Sequence, residues 1–300
     1  MAGFVTTVDR GRYNCRIADG TDVTAMRARE LGRKSVVVGD RVDLVGDTSG
    51  APGTLARIVR IAERHGQLRR TADDDTTTIE RVIVANVDQL VVVAALADPP
   101  PRTGFIDRCL VAAFDADIEP LLVLTKADIG AAALPAVRDY YADLNPTIVT
   151  CRPDEPVNRL RELLTGRLSV LIGHSGVGKS TLVNRLVPDA RRDVGAVNAI
   201  GKGRHTSTSA VALPLGTDGW IVDTPGVRSF GLAHITPDSL LHAFGDLAEV
   251  ATGCPRGCDH TGQSGDCALD TLCDTDGIAP QRLVTFRRLL AAITSRDNTQ

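Results

Sequence analysis

The sequence has few aromatic residues and no long apolar segment. Aromatic side chains make up 3% of the 300 residues, with one Trp, three Tyr and six Phe. Binding of single-stranded nucleic acid by base stacking relies on several such side chains, so this mode is disfavoured. No apolar run reaches the about 18 residues of a membrane-spanning helix, and Met1 to Arg12 lack a signal-peptide core. We therefore expect a cytoplasmic protein that does not enter a membrane.

A strong excess of either charge is also absent, because the formal net charge is −3. This balance excludes a uniformly basic protein. The charge is nevertheless uneven, since residues 1–70 contain 13 Lys and Arg against 8 Asp and Glu. Such a region can attract phosphate, so folded RNA contacted through its backbone is a candidate partner. The basic run from Arg27 to Lys34, however, is more often typical of an ordinary solvated face.

A disulfide framework is not expected, although the chain has seven cysteines. Four of them lie between Cys254 and Cys273, and clustered cysteines in a chain without an export signal indicate a metal site. Three thiolates and one imidazole suit one tetrahedral structural Zn²⁺. Cys273 is a spare thiol that could replace one of the ligands. The predicted zinc ligands are Cys254, Cys258, His260 and Cys267.

The most specific motif lies between an apolar run, Leu168 to Ile172, and a predicted helix, Thr181 to Leu186. It runs from Gly173 to Ser180 and matches the phosphate-binding pattern G-x-x-x-x-G-K-[ST]. Backbone N–H groups and the helix N-terminus would hold phosphate oxygens. Lys179 would reach the β- and γ-phosphates, and Ser180 would hold Mg²⁺. The predicted nucleotide contacts here are Gly173, Ser175, Gly176, Val177, Gly178, Lys179, Ser180 and Thr181.

A second motif, Thr125-Lys126-Ala127-Asp128, follows an apolar strand and is a variant of the guanine-reading pattern [N/T]-K-x-D. The Asp128 carboxylate can accept both N1–H and the 2-amino group of guanine. Adenine lacks this pair of donors and would leave the acceptor unpaired. Lys126 would lie along the base with its alkyl stem, and Thr125 completes the predicted contacts. A further backbone contact with guanine is expected near Cys151.

Two later segments predict a nucleotide-dependent switch. Either Thr206 or Thr208 could complete the Mg²⁺ shell and sense the γ-phosphate, and their spacing does not choose between them. Asp223, after the strand Trp220 to Val222, is placed to bind Mg²⁺ through water. The N–H of Gly226 is placed to bond the γ-phosphate.

The glutamine that orients the attacking water in many GTPases is missing. The residue after Gly226 is Val227, and an aliphatic side chain cannot orient water. His205 is the candidate substitute, because neutral imidazole can position water or accept its proton. A loop histidine without a catalytic role is the alternative. His205 and Lys179 are therefore the predicted catalytic residues.

The guanine-reading motif precedes the P-loop, whereas ordinary GTPases have the reverse order. We therefore expect a circularly permuted domain, in which the connections change but the sheet is preserved. Short alternating segments in the first 70 residues predict a small β-barrel, either an OB-fold or an SH3-like barrel. A polar linker is expected over residues 69–78. The predicted organisation is multidomain: an all-β OB-fold RNA-binding barrel (1–70), a permuted α/β P-loop GTPase domain (71–232) and a mainly helical zinc-binding domain (233–300).

With these residues in place, the chain resembles the bacterial circularly permuted GTPase family RsgA, also called YjeQ. The resemblance covers nearly the whole chain. It departs at Thr125, where Asn is frequent, at Ser207, where Thr is frequent, and slightly in the zinc-ligand spacing. It implies a cytoplasmic GTPase that acts in late assembly of the small ribosomal subunit, is stimulated by that subunit and contacts its 16S rRNA. It also implies that His205 matches the family's catalytic histidine.

The expected small-molecule partners are GTP and GDP with Mg²⁺, and the expected oligomeric state is a monomer. Two other functions compete with this reading. One is an ATP-dependent P-loop phosphotransferase, against which Asp128 argues. The other is a nucleotide-sensing, zinc-containing RNA-binding protein without significant catalysis.

Overall fold

The computed structural model describes residues 1–32, 35–71, 80–188, 210–224, 236–242, 244–262, 265–271 and 280–294. Several residues predicted to be functional lie outside this described part. They are His205, Thr206, Thr208, Gly226 and Cys273. Among the helices of the described ranges, none is both long enough and apolar enough to cross a bilayer.

Five strands at the start of the chain close into a barrel. They are β1 (Ala2–Asp9), β2 (Arg12–Ile17), β3 (Asp22–Arg27), β4 (Arg41–Gly46) and β5 (Ala56–Ile61). Their order is β1-β2-β3-β5-β4, β4 pairs back onto β1, and β3 runs parallel to β5. This order is that of the OB-fold, so the predicted OB-type barrel is confirmed over the SH3-like alternative. Alternate residues such as Val5, Cys15 and Ile58 fill its interior, as the alternating sequence requires.

A second group of strands builds the sheet that carries the functional motifs. It contains β8 (Gln89–Ala95), β9 (Glu119–Thr125), β10 (Thr147–Thr150), β11 (Leu168–Ile172), β12 (Val211–Leu215) and β13 (Gly219–Asp223). The order is β10-β9-β8-β11-β13-β12. All neighbours are parallel except β12, which is antiparallel to β13. The helices that follow these strands are α1 (Thr103–Asp115), α2 (Leu134–Tyr140), α3 (Asn158–Leu164) and α4 (Lys179–Leu186).

The barrel and the parallel sheet are joined by backbone pairing. Strand β1 pairs with β12 at Thr7 and Val211, which makes one continuous sheet of eleven strands. The rings of Phe4 and Trp220 pack beside this pairing with centroids 4.6 Å apart. Gly39 approaches the second domain so closely that a Cβ atom there would lie 2.1 Å from the carbonyl oxygen of Ala85. Two domains that are separate in sequence therefore share a tightly packed junction.

The predicted polar linker is only partly correct. Residues Leu68–Thr71 form β6, which pairs antiparallel with β7 (Glu80–Val84). A two-stranded ribbon tolerates polar side chains because most of its surface faces water, so composition alone suggested a linker. Residues 72–79, which connect β6 and β7, lie outside the described part.

Three helices form most of the described C-terminal region: α5 (Pro237–His242), α6 (Gly245–Ala251) and α7 (Pro280–Thr294). The stretch from Pro237 to Ala251 is thus divided into two helices. Phe244 lies at the break with non-helical backbone angles, and its ring is buried 5.5 Å from that of Phe286. The first helix ends at His242, and the second begins after Phe244, whose side chain is buried in the core. The same core continues to Ile106 and Leu110 on α1.

Candidate functional site

Three motifs that are far apart in sequence meet at one edge of the parallel sheet. The P-loop follows β11, the guanine-reading peptide follows β9, and Asp223 ends β13. Because these strands are parallel, their carboxyl ends lie on the same side, where open α/β sheets bind ligands. The sheet topology therefore brings together the two motifs whose proximity the nucleotide hypothesis requires.

The P-loop backbone has the shape that its glycines allow. Gly178 has a φ of 85°, in the left-handed region, and it immediately precedes the first residue of α4, Lys179. At Gly173 a Cβ atom would lie 2.5 Å from the carbonyl oxygen of Val93, so a side chain cannot be accommodated there. Ser175, Gly176, Ser180 and Thr181 are exposed and open to a ligand. Val177 is buried and packs into the apolar core beside the sheet.

Lys179 and Asp223 form an ion pair across the site. The Nζ atom of Lys179 contacts Oδ1 of Asp223, and both side chains are mostly shielded from water. The next residue, Thr224, is buried and donates its hydroxyl to the carbonyl oxygen of Leu171 at 3.0 Å. This bond holds the end of β13 against β11. The lysine predicted to bind phosphate and the carboxylate predicted to bind Mg²⁺ are thus direct neighbours.

The guanine-reading peptide is attached to the P-loop through its first residue. The hydroxyl of Thr125 is buried and donates to the carbonyl oxygen of Val177 at 2.6 Å, with the carbonyl oxygen of Ala94 at 3.3 Å. Lys126 contacts the carbonyl oxygen of Asp98 through Nζ. Asp128 is exposed at this edge, as a ligand-reading carboxylate must be.

His174 is a P-loop residue that the motif does not specify. Its ring lies against Phe105 of α1, with centroids 4.2 Å apart. Burial lowers the pKa of this imidazole, and the nearby positive charges of Arg102 and Arg108 lower it further. His174 is therefore neutral near pH 7 and packs the P-loop onto α1. The pattern leaves this position open, so no signal in the sequence could have assigned this contact.

The four predicted metal ligands come together in the C-terminal region. All of their ligating atoms lie within 4.8 Å of one another. The Sγ atom of Cys254 is 3.6 Å from Nδ1 of His260 and 3.9 Å from Sγ of Cys267, and the same Nδ1 is 3.9 Å from Sγ of Cys267. Cys258 completes the group. This cluster can hold one metal ion.

Burial disfavours the charged form of one thiol in this cluster, that of Cys267. It raises the pKa of Cys267 to about 11, and the neighbouring Cys258 and Cys254 act in the same direction. A metal that binds here must therefore displace a thiol proton, as thiolate ligation requires.

Comparison with known proteins agrees with this geometry. The sequence model of the RsgA GTPase family matches residues 61–233, which is more than half of the chain. The chain belongs to the RsgA GTPase family. As a member of that family it is a GTP hydrolase, and its guanine-reading motif precedes its P-loop as the predicted permutation requires.

Similar curated proteins extend the RsgA match beyond the GTPase domain. A "Small ribosomal subunit biogenesis GTPase RsgA" from Chlorobaculum parvum is 32% identical, and the alignment covers 98% of each of the two chains. The protein of the same name from Pseudomonas putida is 36% identical, over 86% of this chain and 75% of its own length. The likeness therefore includes the barrel and the C-terminal region.

Solved structures share the same fold. YjeQ from Thermotoga maritima superposes with a TM-score of 0.70 at 24% identity and covers 97% of this chain and 98% of its own. YloQ, described as a circularly permuted GTPase, gives a TM-score of 0.69 at 22% identity. The superposition covers 100% of this chain and 96% of YloQ. At these identities the comparison establishes the architecture: barrel, permuted GTPase domain and C-terminal helical region.

Proposed function

We propose that this chain hydrolyses GTP to GDP and phosphate as a switch in late maturation of the small (30S) ribosomal subunit. Its family supports the hydrolysis, and the names of its curated relatives support the subunit as partner. The observation that carries the proposal is the 2.6 Å hydrogen bond between Thr125 and Val177. It joins the peptide proposed to read the base to the loop proposed to bind the phosphates, which supports a single nucleotide bound across both.

Different residues of the site would contact the base and the phosphates of the nucleotide. Asp128 would accept the N1–H and 2-amino donors of guanine, with Lys126 along the base. The N–H groups from Gly173 to Thr181 would surround the phosphates at the start of α4. Lys179 would stabilise charge on the γ-phosphate during transfer. Lys179 pairs with Asp223, so the charge proposed to meet the γ-phosphate lies beside the carboxylate proposed to hold Mg²⁺.

Mg²⁺ fits the oxygen donors at this edge. Ser180 offers a hydroxyl in the first turn of α4 and Asp223 a carboxylate at the end of β13, and hard cations prefer such oxygen ligands. The ion would neutralise phosphate charge. The remaining predicted groups, Gly226 and either Thr206 or Thr208, are proposed to sense the γ-phosphate. His205 is proposed to position the attacking water.

One zinc ion is proposed for the cysteine cluster. In a tetrahedral zinc site with Zn–S bonds of about 2.3 Å, two sulfurs lie about 3.8 Å apart. The separation of 3.9 Å between the sulfurs of Cys254 and Cys267 fits that geometry. A closed set of three thiolates and one imidazole suits a structural ion rather than a catalytic one. Zinc would then stabilise a region that has a limited core of its own.

The remaining assignments concern partners and boundaries. We assign residues 1–70 to a barrel that binds 16S rRNA, 71–232 to the GTPase domain and 233–300 to the zinc-binding domain. The protein would act as a monomer in the cytoplasm. The positive charge of residues 1–70 supports contact with RNA phosphates.

The decisive experiment measures GTP hydrolysis by the full chain with and without purified small ribosomal subunits. We expect the subunits to accelerate hydrolysis about tenfold or more, because a partner that completes a GTPase site produces large stimulation. Large subunits serve as the control and should have little effect. If GTP and small subunits bind but hydrolysis does not accelerate, the protein is instead a nucleotide-sensing RNA-binding protein. Equal use of ATP would favour the phosphotransferase.

A further inference from the structure

The helix that begins in the phosphate site also reaches the loop behind the base. Helix α4 starts at Lys179, and its last turn carries Arg185. Arg185 donates from Nη1 to the carbonyl oxygen of Arg152 at 2.9 Å, and from Nη2 to the carbonyl oxygen of Glu155. One guanidinium therefore binds two backbone acceptors of the turn that follows β10, which we name the 151–155 turn.

The 151–155 turn lies directly against the guanine-reading peptide. The N–H of Cys151 donates to the carbonyl oxygen of Leu124 at 2.8 Å, and the carbonyl oxygen of Cys151 accepts from the N–H of Ala127 at 3.3 Å. Ala127 lies between the two side chains proposed to contact the base, Lys126 and Asp128. The first residue of the turn is thus fixed beside the base-reading peptide by two backbone bonds.

The rest of the turn has little packing to hold it. Cys151 is buried, whereas every residue from Arg152 to Glu155 is exposed. An exposed turn without buried side chains samples several conformations unless hydrogen bonds restrict it. Arg185 supplies such bonds from a regular helix. Its own backbone carbonyl accepts from Arg161 of α3 at 3.4 Å, which ties the end of α4 to a second helix.

The 151–155 turn also has a group that a base can use. In the described part of the chain, the N–H of Arg152 donates to no protein acceptor. Guanine and hypoxanthine present a carbonyl oxygen at position 6, which accepts from an N–H. Adenine presents an amino group there, which does not accept. A backbone N–H held in place at this wall would distinguish the two kinds of base.

We propose that Arg185 is a positioning residue for base recognition: it holds the 151–155 turn so that backbone N–H groups meet O6 of the base. This inference rests on the proposed binding of guanine nucleotides. Only the role of Arg185 goes beyond the contacts already expected: Asp128 would read N1–H and the 2-amino group, and the backbone contact expected near Cys151 would read O6. Arg185 contributes without touching the nucleotide, because a turn that is already ordered loses less entropy on binding.

The test compares the affinities of GDP, IDP and ADP for the full chain and for Arg185→Gln, measured by competition against a fluorescent GDP. IDP has O6 but no 2-amino group. We expect Arg185→Gln to weaken GDP and IDP about tenfold each, with their ratio unchanged and ADP unaffected. The kcat for saturating GTP should stay within about twofold while KM rises. Arg185→Lys, which replaces the two donor nitrogens by one, should give a smaller loss of GDP and IDP affinity.

Arg159→Gln is the matched control, because Arg159 is exposed on α3 and pairs with Glu162. It should leave all three affinities unchanged. Asp128→Asn is the contrast and should change the ratio of GDP to IDP. The inference is overturned if Arg185→Gln leaves GDP binding unchanged, or if it weakens ADP as much as GDP. If the unmodified chain shows no preference for GDP over ADP, the proposed function itself fails.

Discussion

Thr125 and Val177 are 52 residues apart in sequence, yet the hydroxyl of Thr125 donates to the carbonyl oxygen of Val177 at 2.6 Å. The hydroxyl is buried at the point where β9 ends, and the carbonyl belongs to the P-loop that follows β11. One short polar contact therefore joins the end of β9 to the P-loop. Thr125 stands where the related motif often has Asn, and its shorter side chain still provides a donor.

Removing this hydroxyl should weaken nucleotide binding. Thr125→Val keeps the shape of the side chain but leaves the Val177 carbonyl without its donor, at a cost of about 1–3 kcal/mol. We expect the Kd for GDP to rise about tenfold in equilibrium titrations. Thr125→Ser retains the hydroxyl and is the control, with a loss of about threefold or less. Equal losses in both variants would mean that the methyl group, not the hydrogen bond, supports the site.

Asp128 should determine the choice of base. In Asp128→Asn the side chain presents an amide, which pairs with the carbonyl at position 2 of xanthine but no longer accepts both donors of guanine. We expect GTP affinity to fall about a hundredfold and XTP affinity to rise. Titrations with both nucleotides measure the change. A variant that keeps its preference for GTP would contradict the assigned role of Asp128.

His205 should affect turnover more than binding. If its imidazole positions the attacking water, His205→Ala lowers the rate of the chemical step about a hundredfold and leaves the Kd for GTP nearly unchanged. Single-turnover hydrolysis and nucleotide titration separate the two quantities. His174→Ala is a useful comparison, because that histidine packs on Phe105 and is not proposed to touch water. Equal losses of rate and affinity in His205→Ala would remove its catalytic role.

The cysteine cluster should require metal for its stability. We expect one zinc per chain by elemental analysis, and we expect Cys254→Ser to lose it because a neutral hydroxyl is a poor replacement for a thiolate. Cys15→Ala, in the barrel, should keep one zinc and is the control. A chelator should lower the melting temperature of the unmodified chain. Full metal content in Cys254→Ser would exclude Cys254 from the ligand set.

Arg288 should stabilise the contact between the C-terminal region and the GTPase domain. On α7, its Nε lies 3.4 Å from Oδ2 of Asp107 on α1, and its guanidinium lies 3.8 Å from the centre of the Tyr140 ring. Arg288→Gln leaves the buried Asp107 carboxylate without its cation and should lower the free energy of unfolding by about 3 kcal/mol. Arg287→Gln is the control on the same helix, because Arg287 bonds to His260 and Asp270 instead.

The effect of Arg288→Gln should depend on pH. Burial raises the pKa of Asp107, and the charge of Arg288 opposes that rise. Without Arg288 the pKa of Asp107 rises further. The variant therefore loses the most free energy of unfolding at high pH, where the carboxyl is charged. As pH falls through the raised pKa, the carboxyl takes up a proton and the difference from the unmodified chain shrinks. Urea unfolding at pH 5 and pH 8 measures this, and a difference that grows toward pH 5 would contradict it.

Local patterns in the sequence were sufficient to locate the two candidate sites. The spacing of glycines, lysine and serine from Gly173 to Ser180 predicted the P-loop, because a tight phosphate-binding turn depends on neighbouring residues. The spacing from Cys254 to Cys267 predicted the metal ligands for the same reason, and these side chains do come together. Alternation with period two was enough to find all five barrel strands.

Only the tertiary structure decided which distant residues meet. The pairing of β1 with β12, the OB-type closure of the barrel, and the contacts of Thr125, Arg185 and Arg288 could not be read from periodicity. Periodicity shows which face of an element is apolar, but a contact such as that of Arg288 with the carbonyl oxygen of Tyr140 joins residues 148 positions apart. Such contacts depend on how the whole chain packs, and so they are determined by the fold rather than by any segment of it.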